Sequence, residues 1–211
     1  MIWLLGLTAA IGVLAILLAD ALRHRHVIGN ELARKSIHIT HALIIGSWPF
    51  FTNYKIVIAA EVFSFGMVLL ARVFKLFGPL REVKRLSWGE FFFPLAVIIM
   101  ALLEPSQWLF LAAVLHFGLA DGLAAIIGSR VKKGHYIIFG HRKSVVGTMV
   151  FWLVSLAIVS WFLYGQSGLD PQFWPVVITI STITAIIENI SPWGSDNFTV
   201  PLAAYGLLAL F

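Results

Sequence analysis

Residues 108–164 read WLFLAAVLHFGLADGLAAIIG (108–128), SRVKKGHYIIFGHRKS (129–144) and VVGTMVFWLVSLAIVSWFLY (145–164). Two long apolar runs flank a short segment that carries Arg130, Lys132, Lys133, Arg142 and Lys143. A helix needs about 20 apolar residues to cross a hydrocarbon core, so this alternation predicts two membrane helices joined by a basic loop. The same pattern recurs along the chain. Arg23, Arg25, Arg34 and Lys35 form a second basic stretch, and Arg72, Lys75, Arg81, Lys84 and Arg85 a third. Of the 15 Lys and Arg residues only Lys55 lies elsewhere. If each apolar run crosses the bilayer, all three stretches fall on one side, which the positive-inside bias makes cytoplasmic.

Composition agrees. The 211 residues are 60% hydrophobic and 12% charged, with a mean hydropathy of +0.92. Soluble domains carry about a quarter charged residues. The reading is an all-α, polytopic membrane helical bundle of seven to eight transmembrane helices, forming one domain over 1–211. Candidate spans are 2–19, 37–52, 55–71, 89–104, 108–128, 145–164, 173–190 and 198–211, the last of them short. The net charge of +5 is read as loop bias helped by anionic lipid, so no nucleic-acid partner is expected. Without cysteine, disulfides and thiolate metal sites are excluded. The first apolar run is followed by Arg23-His24-Arg25-His26, not preceded by charge. That is the reverse of a signal peptide, and a retained first helix with its N-terminus outside is expected.

Ionisable groups at bilayer depth cost about 2.5–3.5 kcal/mol on insertion scales and usually need a partner or a purpose. Glu61, Glu90, Asp121 and Glu188 qualify. Small residues, among them Gly118, Gly122 and Gly128, surround Asp121 and let a helix or ligand come close. Its alternatives are a functional carboxylate and one paired with Lys or Arg for packing. Glu61 is expected to act in a site or to pair with a histidine. Ser144, after Arg142-Lys143, reads as a helix cap with Gly147 in the first turn, and Lys143 with a helix N-terminus favours phosphate. The spacing is not a P-loop, because Arg142 stands where a glycine belongs. Glu188-Asn189 and Asp196-Asn197 offer carboxylate and amide oxygens suited to a hard ion such as Mg²⁺, or simply a capped turn. Arg34, His38 and His41 share a helical face, and Ser87-Trp88-Gly89-Glu90 reads as a capping box.

In order along the chain, Arg34-Lys35-Ser36-Ile37-His38, Ser87-Trp88-Gly89-Glu90 with Pro94, and Ala120-Asp121-Gly122-Leu123-Ala124 with Gly128 resemble motifs of the CTP-dependent polyprenol kinases. So do Lys143-Ser144 with Gly147, and Glu188 followed by Asp196-Asn197-Phe198-Thr199-Val200-Pro201. That family includes phytol kinase, dolichol kinase and the CTP-dependent diacylglycerol kinase. One departure is Val146, where the family commonly has an acid. The resemblance implies transfer of the γ-phosphate of CTP to a membrane-dissolved isoprenoid alcohol, catalysed by Asp121, Lys143 and either Glu188 or His38 as base. It further implies Mg²⁺ on Asp121 and Asp196, with Asn197 beside them. Phosphates would be held by Arg34, Lys35, Lys143 and the segment of Gly128, Ser144 and Gly147. A CTP-dependent diacylglycerol kinase, a phosphatidate cytidylyltransferase and a membrane transporter are the competing readings. A prokaryotic cell membrane is favoured over the endoplasmic reticulum. The alcohol and the oligomeric state stay open at this point.

Overall fold

The computed structural model describes residues 2–74 and 88–211. Lys75, Arg81, Lys84, Arg85 and Ser87 fall outside the described residues, and the Arg72 side chain is likewise outside them. The described helices are α1 (Ile2–His24), α2 (Asn30–Ser47), α3 (Tyr54–Val73), α4 (Gly89–Leu102), α5 (Gln107–Leu115), α6 (Gly122–Gly128), α7 (Val145–Ser167), α8 (Phe173–Ile190) and α9 (Asp196–Leu208). A π-helical turn, His116–Asp121, joins α5 to α6. Strands β1 (His135–Ile138) and β2 (His141–Ser144) pair as an antiparallel hairpin.

This is an all-α membrane bundle with one small hairpin where a plain basic loop was expected. Trp3–His24, Gln107–Gly128, Val145–Ser167 and Phe173–Ile190 are long and apolar enough to cross a membrane. Helices α4 and α9, with 14 and 13 residues, fall short. At 1.5 Å per residue α4 spans only about 21 Å of a core about 30 Å thick. Helix α9 packs against α4, α5 and α8, with Val200, Pro201, Ala204 and Leu208 buried. Helix α1 is almost wholly exposed and leans on α2, where Trp48 Nε1 donates to Thr8 Oγ1 at 3.0 Å.

Helix ends follow the local chemistry. Asn53 Oδ1 accepts the amide of Ile56, Ser106 Oγ that of Leu109, and Ser144 Oγ that of Gly147. Such caps satisfy donors that the first helical turn leaves unpaired. The turns before α3 and α5 meet at one end of the bundle, where Tyr54 donates to the Pro105 carbonyl and Gln107 to that of Pro49. The expected partner of Glu61 is there as well. Buried Glu61 accepts from His41 Nε2 at 2.9 Å, and its second oxygen has no hydrogen-bond partner among the described residues.

The central contact is between α2 and the α5–α6 segment. A Cβ on Gly118 would overlap the Cβ of Ala42, and one on Gly122 would meet Ile39 Cγ1 at 2.5 Å. Helices that cannot gain from excluding water associate through such close backbone approach. The π turn adds one residue to the helix, which rotates everything beyond it by about 100°. It is held by His116, buried, whose Nε2 meets Ser155 Oγ at 3.0 Å, and Ser155 in turn meets Thr184 Oγ1 at 3.1 Å. One network thus ties the π turn to α7 and α8.

Gly118→Ala should therefore destabilise the protein in detergent by about 1–3 kcal/mol, despite the gain in helix propensity. Ala42→Gly in the same molecule should recover part of that loss. Thermal unfolding of the two single variants and the double variant checks this, and strictly additive losses would show that the two residues do not meet.

Candidate active site

At the end of the bundle away from the Tyr54–Pro105 turn, α2, the π turn, β2, α8 and α9 each supply a charged side chain. The carboxylates of Asp121, Glu188 and Asp196 place one oxygen each within 4.8 Å of the others. Asp121 closes the π turn, Glu188 lies in the last turn of α8, and Asp196 opens α9. Without the extra residue of the π turn, Asp121 would project from another face of its helix.

Two ammonium groups answer these three acids. Lys35, buried on α2, forms an ion pair with Asp121. Lys143 on β2 forms one with Glu188, donates also to the Glu188 carbonyl at 2.9 Å, and lies 4.0 Å from Asp196. Burial works against the charge on Lys143, but Glu188 and then Asp196 outweigh it and raise its pKa. Burial and the charge of Asp121 raise the pKa of Asp196, against Lys143 and Lys35. In both groups burial disfavours the charged form; the acids around Lys143 overcome it, and the charge of Asp121 adds to it at Asp196.

The hairpin sets the position of Lys143. Phe139 and Gly140 have φ of 47° and 77°, the left-handed pair that a tight two-residue hairpin turn requires. Tyr136 stands opposite Lys143, and its hydroxyl bonds to Asn189 and Thr148. Adjacent cross-strand residues share a face, so Tyr136 and Lys143 reach neighbouring residues at the end of α8.

These groups line a cavity of about 1140 Å³. Of the residues singled out in the sequence, Arg34, Lys35, Glu90, Asp121, Gly128, Lys143, Ser144, Gly147, Glu188, Asp196 and Asn197 all border it. Arg34 is held by Glu31 at 2.7 and 3.2 Å. His38 lies one turn further along α2, its Nε2 3.5 Å from Asp121 and 3.3 Å from the Phe117 carbonyl, with its ring against Phe117 and Phe93. His41 is turned to Glu61, away from the cluster. The amide of Gly147, expected to face a phosphate, is donated instead to Ser144 Oγ at 2.9 Å. Gly128 and Gly147 serve close packing: a Cβ on Gly128 would meet Ser144 Oγ at 2.6 Å and Gly147 Cα at 3.1 Å. Tyr136 and His116 carry much of the site's support, and the sequence reading passed over both.

The chain is 30% identical over 209 residues to the phytol kinase of Synechocystis sp., a match covering 96% of this chain and 89% of that protein. The chain belongs to the phytol kinase family. The probable chloroplastic phytol kinase 2 of Oryza sativa subsp. japonica is 22% identical over 221 residues, 95% of this chain and 72% of the plant protein. No protein-family model matches the chain, and no solved structure matches it. Within this phytol kinase family member the matched region takes in every residue of the charged cluster, since the alignment runs over nearly its whole length.

Removing one member of a buried ion pair strands the other charge, typically at about 3–5 kcal/mol. Lys143→Met should therefore lower thermal stability markedly, and excess Mg²⁺ should restore more of it in the variant than it adds to the unaltered protein. Thermal shift with and without the ion measures this, and an equal response in both proteins would sever Lys143 from the carboxylate cluster.

Proposed function

We propose that the protein is a membrane lipid kinase that moves the γ-phosphoryl group of CTP to the hydroxyl of an isoprenoid alcohol at the cytoplasmic face. The observation that carries this reading is the convergence of Asp121, Glu188 and Asp196, from three separate elements, around the ammonium of Lys143. Membership of the phytol kinase family supports the choice of a kinase and of an alcohol acceptor. The choice of CTP rests on the motif resemblance, and the face on the placement of the basic stretches.

Phosphoryl transfer asks mainly for positioning and charge neutralisation. Three clustered carboxylates, in excess of their lysines, have the oxygen donors that Mg²⁺ prefers. Asp121 and Asp196 are the assigned ligands, with Glu188 and Asn197 beside them. Such an ion, when bound with the nucleotide, neutralises phosphate charge. Lys143 and Lys35 would bind phosphate oxygens, and Arg34 would serve the outer edge. With the amide of Gly147 already committed to Ser144, the lysines carry the phosphate contacts.

The acceptor oxygen attacks the γ-phosphorus, the bond to the β,γ-bridging oxygen breaks, and CDP leaves. His38 is the assigned base for the hydroxyl proton. It sits deeper along α2 than Lys35, on the side from which a membrane-dissolved alcohol arrives. Its Nε2 faces the Phe117 carbonyl, which only accepts, so the proton sits there and Nδ1 keeps the lone pair. Glu188, bound to Lys143, is the alternative base. The competing cytidylyltransferase chemistry would leave a CDP-lipid and pyrophosphate.

Purified protein should transfer label from γ-labelled CTP to a prenol, giving a lipid monophosphate. Asp121→Asn should abolish transfer while the protein stays folded, and full activity in that variant would overturn the reading. His38→Ala should lower kcat about 100-fold with little change in nucleotide KM. If Glu188→Gln shows that pattern instead, the base is Glu188.

A further inference from the structure

The cavity is lined mostly by charged and small residues, and among its described lining residues Trp193 alone is a Phe, Tyr or Trp. Its indole is 62% exposed, so it leaves ring surface open at the rim. Its backbone has φ 52°, followed by Gly194 at 84°. A non-glycine residue in the left-handed region is uncommon, and such strain persists only where the surroundings enforce it, often at ligand clamps. Here the enforcing contacts are clear. The Ser195 amide closes a turn on the Pro192 carbonyl at 2.9 Å, and the Trp88 amide donates to the Trp193 carbonyl at 3.1 Å. The His141 ring meets the indole edge-on, with centroids 6.0 Å apart and an interplanar angle of 82°.

The placement relative to the charged cluster gives this indole its meaning. On β2, His141 and Lys143 are two residues apart and so share a face of the hairpin, about 7 Å apart along the strand. On the facing turn, Trp193 stands three residues before Asp196. The two segments that bring Lys143 and Asp196 to the phosphate end therefore also bring an aromatic pair to the outer rim. An interfacial tryptophan of the usual kind lies among lipid headgroups, whereas this one borders a cavity of charged groups.

We infer that Trp193 is the stacking platform for the base of the donor nucleotide, whose phosphates run inward to Lys143 and the carboxylates. The inference rests on the kinase reading for the identity of the ligand. Every nucleobase offers a π face, so stacking supplies affinity for a nucleoside triphosphate without choosing among bases.

The test compares CTP with inorganic tripolyphosphate, which has the phosphate chain but no base, both with Mg²⁺ on the full-length protein in detergent. The unaltered protein should bind CTP more tightly than tripolyphosphate. Trp193→Ala should weaken CTP binding about 10-fold or more while tripolyphosphate binding is unchanged, and Trp193→Phe should keep most of the CTP affinity. Unchanged tripolyphosphate binding also shows that the variant is folded. Equal weakening of both ligands, or of neither, would overturn the inference. The kinase reading is judged separately, by whether the unaltered protein makes a lipid monophosphate. If it does not, yet CTP binding still depends on Trp193, the platform stands and the kinase reading falls.

Discussion

Three carboxylates within reach of one another, two of them buried and one half-buried, repel strongly in a low-dielectric surrounding, and nearly every feature at this end of the bundle answers that repulsion. Lys35 comes from α2, Lys143 from the hairpin, and each is tied to one acid. The two cations still leave an excess of negative charge. The proposed Mg²⁺–nucleotide ligand would bring the balancing cation with it.

The helices are arranged to make this clustering sterically possible. Gly118 and Gly122 let α2 approach the π turn closely enough for Lys35 to reach Asp121, and Gly128 with Gly147 does the same between α6 and α7. The π turn then aims Asp121, and the His116–Ser155–Thr184 network keeps that turn from relaxing into a regular helix. Small residues, a local helical irregularity and buried hydroxyls are three means to the same alignment.

Much of this was legible in the residues. Long apolar runs marked the helices, Ser144 marked its own cap, and a histidine partner was one of the two readings of Glu61 in α3. The charged residues at one end could be gathered because topology puts alternate loops on the same side. What the sequence concealed has physical reasons. A π turn has no residue signature, since tertiary contacts such as that of His116 decide it. The hairpin hid in a basic loop because Tyr136-Ile137-Ile138 and His141-Arg142-Lys143 show no alternation, although the Gly140 between them was a usable turn signal. At Gly147 two readings, a capped first-turn amide and a phosphate donor, compete for one N–H, and the cap on Ser144 holds it.

The hairpin's pairing of Tyr136 with Lys143 has an implication for how the sequence can change. Side chains alternate along a strand, so sliding one strand by a single residue carries the whole set to the other face. Many substitutions at Ile137 or Phe139, both largely exposed, leave that pairing intact. Gaining or losing one residue between Tyr136 and Lys143 would not. Surface loops ordinarily absorb insertions and deletions, but in this one the number of residues is under tighter constraint than their identity.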